Sequence, residues 1–200
     1  MNNAKTMNLG LNKNQADQLV DKYIIIPITK YHIWESEAIM RALAKHFGEN
    51  EEEWGIIGLL HDIDWDLTKN NPKEHLVKAP EILKQTGGSD ELIDAIVSHG
   101  YGQPACGAPS DRQRQTKLEH ALAAAETVTG LIVASALVQP DKKLASVTLQ
   151  SLLKKFKNKS FAANCNRGII MECEKIGLTL DEFLNLSLKA LQAISDKIGL

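Results

Sequence analysis

"GLLHDIDWD" (residues 58–66) runs as the tail of an apolar helix and then sets His61 beside Asp62, with Asp64 and Asp66 at alternate positions beyond. Reading backwards, Trp54, Ile57 and His61 follow three-then-four spacing, so the imidazole continues an apolar helix face rather than leaving it. The same arrangement recurs along the chain. His32 precedes Ile39 by seven residues and Leu43 by eleven, Leu92 and Ile96 share a face with His99, and Glu126 lies between Leu122 and Val133 at helical spacing. An ionised carboxylate turned into a core costs on the order of several kcal/mol unless it is paired or coordinated. Any one of these histidines, taken alone, reads most simply as a core residue bonded to a carbonyl. Taken together they have a different meaning, because separate helices that each present an imidazole or carboxylate to one interior are what a metal site in a helical bundle requires.

The rest of the chain supports the helical reading. Apolar residues recur at helical spacing nearly throughout and strict alternation is scarce, so the expected fold class is all-α. The expected helices span 13–24, 29–47, 51–61, 73–86, 89–98, 112–138, 145–157, 166–176 and 180–198. "YIIIPI" (23–28) is the one strand-like run, and Pro27 inside it is expected to separate two helices. Asn71-Pro72 reads as a helix start, Gly48, Gly87-Gly88 and Gly177 as stops, and Thr179 with Glu182 as a capping pair. The loop "HGYGQPACGAPSD" (99–111) is expected to rim a site.

Composition narrows the classes. Two hundred residues, 44% of them hydrophobic, are enough for one substantial core, and the chain is expected to form a single unit over 1–200. A net charge of -2 gives no bulk attraction to nucleic acid or to an anionic membrane. Cys106, Cys165 and Cys173 are odd in number and lack paired spacing, which argues against a disulfide framework or a thiolate zinc site and for a reducing, cytoplasmic setting. "MNNAKTMNLG" has no apolar core of the signal-peptide kind, and runs such as "LIVA" are too short to cross a bilayer.

His32, then His61-Asp62 29 residues later, then an acidic residue on a long later helix resembles the HD-domain superfamily of metal-dependent phosphohydrolases. "YHIWESEAIMRALAKHFG", "GLLHDIDWD", "ALAAAETVTGLIVASALVQPDKKL" and "KKFKNKSFAANCNRGII" look like successive segments of a small bacterial subgroup of that superfamily. The resemblance implies an HD helical bundle, with its metal-binding core near 28–138 and C-terminal helices at 145–198. It implies hydrolysis of a small phosphate ester, a nucleotide among the candidates, by metal-activated water.

The implied ligands of a first ion are His32, His61, Asp62 and Glu126, the last standing where the superfamily usually has aspartate. His75 and His99 follow Asp62 by 13 and 37 residues, in the order in which two-metal members place extra histidines, with Asp62 as the bridge. In a one-metal protein His75 would instead be an exposed first-turn residue and His99 a loop residue. His99 lies on an apolar face and His75 shares one with Ala79 and Ile82, which favours two ions. Nitrogen and oxygen donors without thiolate suit iron, manganese or zinc.

Asp62 and Asp64 are the catalytic candidates, with Asp64 orienting a water or a bound histidine; Asp66 reads as a turn former before "LTKNNP". Lys155 and Arg167 are candidate phosphate contacts because the resembling segment includes them, although most lysines in "KKFKNKS" read better as a solvated helix end. His46 and His120 fall outside the site. Two other classes remain open at this point: a two-iron HD oxygenase using the same six donors, and a non-catalytic protein that binds a nucleotide.

Overall fold

The computed structural model describes residues 7–200, so the opening "MNNAKT" and the leader reading drawn from it lie outside the described residues. Among the described residues every regular element is helical. The α-helices are α1 (Lys13–Tyr23), α2 (Pro27–Phe47), α3 (Glu51–Leu60), α4 (Trp65–Thr68), α5 (Lys78–Gln85) and α6 (Asp90–Ser98). They continue with α7 (Lys117–Leu137), α8 (Leu149–Lys157), α9 (Arg167–Ile170), α10 (Leu180–Gln192) and α11 (Ser195–Ile198). Short 3-10 turns lie at Pro72–Glu74, Leu144–Ser146 and Met171–Ile176.

Local chemistry sets most of the ends. Asn12 with Gln15, Thr116 with Glu119 and Thr179 with Glu182 form capping boxes at α1, α7 and α10. "YIIIPI" is no strand: Tyr23 closes α1, and Pro27 opens α2, where its fixed φ and missing N–H cost nothing. No side chain of its own caps α2. Asp66 does so from α4, accepting the N–H groups of Ile25 and Ile26 at 2.7 and 2.8 Å and the Thr29 hydroxyl at 2.7 Å. Asp66 is therefore an anchor between helices rather than a turn former for the segment after it.

Several expected helices are shorter or broken. The span expected at 73–86 is a 3-10 turn, a bend and then α5, because Leu76 adopts the left-handed region at φ 66°. The helix expected at 112–138 starts at Lys117, and the one expected at 145–157 starts at Leu149, where Thr148 caps it. The last expected helix divides into α10 and α11 around Ala193–Ile194.

The core is built on α2 packed along α3, with α7 crossing α2. Gly58 makes the α2–α3 approach possible: a Cβ there would stand 2.8 Å from the Ser36 carbonyl oxygen. Helix α10 lies against α2 and α8, and Met171–Ile176 lies along α7. Among the described residues α7 alone is long and apolar enough, by length and composition, to cross a membrane, and 67% of its most apolar window is buried inside the protein.

Candidate metal centre

The end of α3 positions the His61-Asp62 pair. Leu59 and Leu60 are buried with no measurable exposure, and the chain leaves the helix at His61, so Asp62 falls in the turn where the helix ceases to consume backbone groups. His32 comes from the second turn of α2, His99 from the end of α6, Glu126 from α7, and His75 from the bend before α5.

The two oxygens of Asp62 face different histidine pairs. Oδ2 lies 3.5 Å from His61 Nε2 and 3.7 Å from His32 Nε2. Oδ1 lies 3.4 Å from His75 Nε2 and 3.6 Å from His99 Nε2. Donor atoms of His32, His61 and Glu126 fall within 4.8 Å of one another, and so do those of Asp62, His75 and His99. All six expected donors are thus gathered in one place, as two triads that meet at Asp62.

The histidine tautomers follow from what each Nδ1 touches. His61 Nδ1 donates to the Gly58 carbonyl at 2.8 Å, and His99 Nδ1 donates to the Ile96 carbonyl at 2.7 Å. His75 Nδ1 donates to Asp64 Oδ1 at 2.7 Å. His32 Nδ1 donates to Thr129 Oγ1 at 3.0 Å, since that hydroxyl's own proton goes to the Glu126 carbonyl at 2.7 Å. In its neutral form each ring therefore turns a bare Nε2 lone pair inward, and the Nε2 atoms of His32 and His61 are 3.2 Å apart. Two facing lone pairs at that separation repel unless a cation lies between them, and a small cation bound by imidazole nitrogen at roughly 2.0–2.1 Å suits the gap. The residues fit a metal.

The electrostatics of His32 and His99 agree, whereas at His75 burial works downward but the Asp64 bond and the charges of Asp62, Asp64 and Glu126 outweigh it and raise the ring. Burial and the neighbouring His61 push His32 down to about 4, and the same causes push His99 down to about 3. Both imidazoles are neutral at ordinary pH, the form that ligates. Burial works to raise Asp62, but His61, His75, His32 and His99 outweigh it and hold the carboxyl well below the usual range. Burial raises Glu126 to about 8, against the hydrogen bond it accepts from Thr127. A carboxyl in that state is one for which a cation would compensate.

Asp64 does not face the cavity. It is fully buried, and besides His75 it accepts the N–H groups of Leu76 and Ala79 at 2.8 and 3.0 Å. One carboxylate thus orients a histidine, holds Leu76 in its left-handed conformation and caps α5. Its action is through His75.

A cavity of about 240 Å³ opens on Asp62, His75, His99 and Glu126. The loop expected to form a rim does so: Gly100, Gln103, Ala105 and Cys106 line the cavity, and Gly107 N–H donates to the His75 carbonyl at 2.9 Å. Trp65, absent from the expected set, stands edge-on to His75 with centroids 5.0 Å apart. Thr129 was also missed, although its place three residues after Glu126 puts it on the same helix face.

The expected phosphate contacts lie elsewhere. Arg167 donates to the carbonyls of Phe156, Asn158, Phe161, Ala162 and Cys165, so its guanidinium holds the 156–165 loop and has no donor left for an anion. Lys155 bonds Ser151 Oγ at 2.9 Å, lies over the Phe161 ring and is absent from the cavity lining. His46 packs on Phe47, and His120 pairs with Glu172, both apart from the donor set.

A family model described as HD domain matches residues 29–133, a span that holds all six donors. No curated protein and no solved structure matches the chain.

Proposed function

Because the chain belongs to the HD-domain family, whose members are generally metal-dependent hydrolases, we propose that it hydrolyses a small phosphate ester at a two-ion centre. The observation that carries this reading is the carboxylate of Asp62, each of whose oxygens faces its own pair of Nε2 lone pairs. His32, His61 and Glu126 would hold one ion, His75 and His99 the other, and Asp62 would bridge them. Divalent ions in such a set lower the pKa of water to give a nucleophile near neutral pH and polarise phosphoryl oxygens.

The chain's own residues supply orientation and shielding. Asp64 fixes the His75 ring with Nε2 aimed at Asp62, and Thr129 fixes the ring of His32. Trp65 belongs both to the 240 Å³ cavity and to a second opening of about 250 Å³ beside Ile28, Thr29 and His32. Through these openings a phosphoryl group would approach Asp62 from solvent.

The test joins metal analysis of protein purified without chelator to a screen of phosphorylated metabolites for phosphate release. Wild-type protein should carry close to two ions and release phosphate from at least one ester. His61→Ala and Asp62→Ala should each lose most of the metal and the turnover. Full metal content in both variants would overturn the assignment. Oxygen uptake by iron-loaded protein without phosphate release would replace hydrolysis by the oxidative reading.

A further inference from the structure

His99 sits where α6 runs out, and the end of a helix leaves carbonyls with no partner in the helix. In this protein Arg114 takes the last of these, that of Ser98, and two carbonyls just beyond the helix. Arg114 Nη1 donates to the carbonyls of Ser98, His99 and Tyr101 at 3.0, 3.2 and 2.8 Å. Its Nε and Nη2 make a two-pronged pair with Glu172 at 2.8 and 2.6 Å. Glu172 also accepts from His120 Nδ1 at 2.5 Å. The Arg114 side chain is 8% exposed and that of Glu172 11%, so little water competes for these bonds.

The network crosses a boundary. Arg114 and His120 lie within the matched span 29–133, whereas Glu172 lies beyond it, in the Met171–Ile176 turn packed along α7. A guanidinium free to rotate would hold three carbonyls poorly. The fork to Glu172 fixes its plane and aims Nη1 at the end of α6. The His99 ring is oriented by its bond to the Ile96 carbonyl, but where that ring stands depends on the last turn of α6.

We propose that Glu172 and Arg114 are positioning residues for the second ion, so that the segment beyond the family-matched span sets how well His75 and His99 hold it. This rests on the two-ion reading above. It separates two roles for the C-terminal third of the chain: general support of the core, which would affect both ions alike, and selective support of the His99 side.

The experiment uses the full chain stripped of metal and titrated with Mn²⁺, with ions counted by equilibrium dialysis and pairing read from the spin-coupled signal. In Glu172→Gln the first ion should bind as in wild type, while the second binds about tenfold more weakly and the coupled signal falls, since outer-shell partners typically change metal affinity by roughly 10–100-fold. Arg114→Lys keeps the charge but not the fork, should behave the same way, and carries the comparison if Glu172→Gln does not fold. Unchanged binding of both ions in the folded variants would overturn the inference, as would equal weakening of both. If wild type takes fewer than two ions, the two-ion reading falls instead. Amide exchange in the metal-free protein then decides the latch itself: faster exchange over 98–103 with 55–62 unchanged in Glu172→Gln sustains it, and unchanged exchange overturns it.

Discussion

At the scale of single residues the protein commits polar side chains to defined partners. Asp64 and Asp66 show this in adjacent turns, one holding a histidine and the other capping a helix. Glu35 is different. It lies on α2 only 5% exposed, and burial alone raises its carboxyl from 4.5 to about 7. The linkage sign follows from the direction of that shift. Between those values the folded state binds more protons than the unfolded state, so this group's contribution to stability falls as pH rises from 4.5 to about 7 and is constant above. Glu35→Gln removes the titration and keeps the shape. Urea unfolding of both proteins should show the variant's advantage growing by about 2 kcal/mol between pH 5 and pH 8. Equal advantages at the two pH values would mean that Glu35 ionises in the fold as it does in water.

At the scale of elements the site depends on how closely α2 and α3 approach. His32 and His61 belong to these two helices, and Gly58 sits between them under the Ser36 carbonyl while its own carbonyl accepts from His61. A methyl group at 58 would meet backbone, which cannot rotate away. Gly58→Ala should therefore cost about 1–3 kcal/mol by forcing the helices apart. It should also weaken metal binding at the His32–His61 side more than a surface Gly→Ala elsewhere; a variant with wild-type stability and metal affinity would contradict this packing account. Elements were legible in the sequence where their signals are local. Thr179 with Glu182 announces its own helix; Thr116 with Glu119 carries the same signal, which the start expected at 112 passes over. The break at Leu76 was not legible, because the acceptor that holds it comes from Asp64, 12 residues away. Arg167 misled for a similar reason: nothing in its neighbourhood of sequence says that five loop carbonyls surround it.

At the scale of the whole molecule His32, His61, His99 and Glu126 were legible because each falls on an apolar helix face, and Asp62 and His75 through the family resemblance, whereas the Arg114–Glu172 pair, 58 residues apart, carries neither signal. The donors come from α2, the end of α3, the bend before α5, the end of α6, and α7, so an ion held by them would tie together elements from His32 to Glu126. Such a ligand binds the folded chain and finds no assembled set in the unfolded one. Its stabilisation grows with concentration, reaching about 2.7 kcal/mol at a hundredfold excess over Kd. For a chain of 150–250 residues each kcal/mol moves the thermal midpoint by roughly 2–4 °C, so metal loading should raise it by roughly 5–10 °C. Since α10 and the Met171–Ile176 turn pack on α2 and α7, the C-terminal helices should melt with the metal-bearing core as one unit, in one transition that shifts as a whole. Calorimetry of stripped and Mn²⁺-loaded protein measures both quantities. A loaded trace that splits, with an early peak at its metal-free position, would show that the C-terminal helices unfold independently. A shift of the same size in Asp62→Ala would show that the ions act at some other place than the bridge between the two triads.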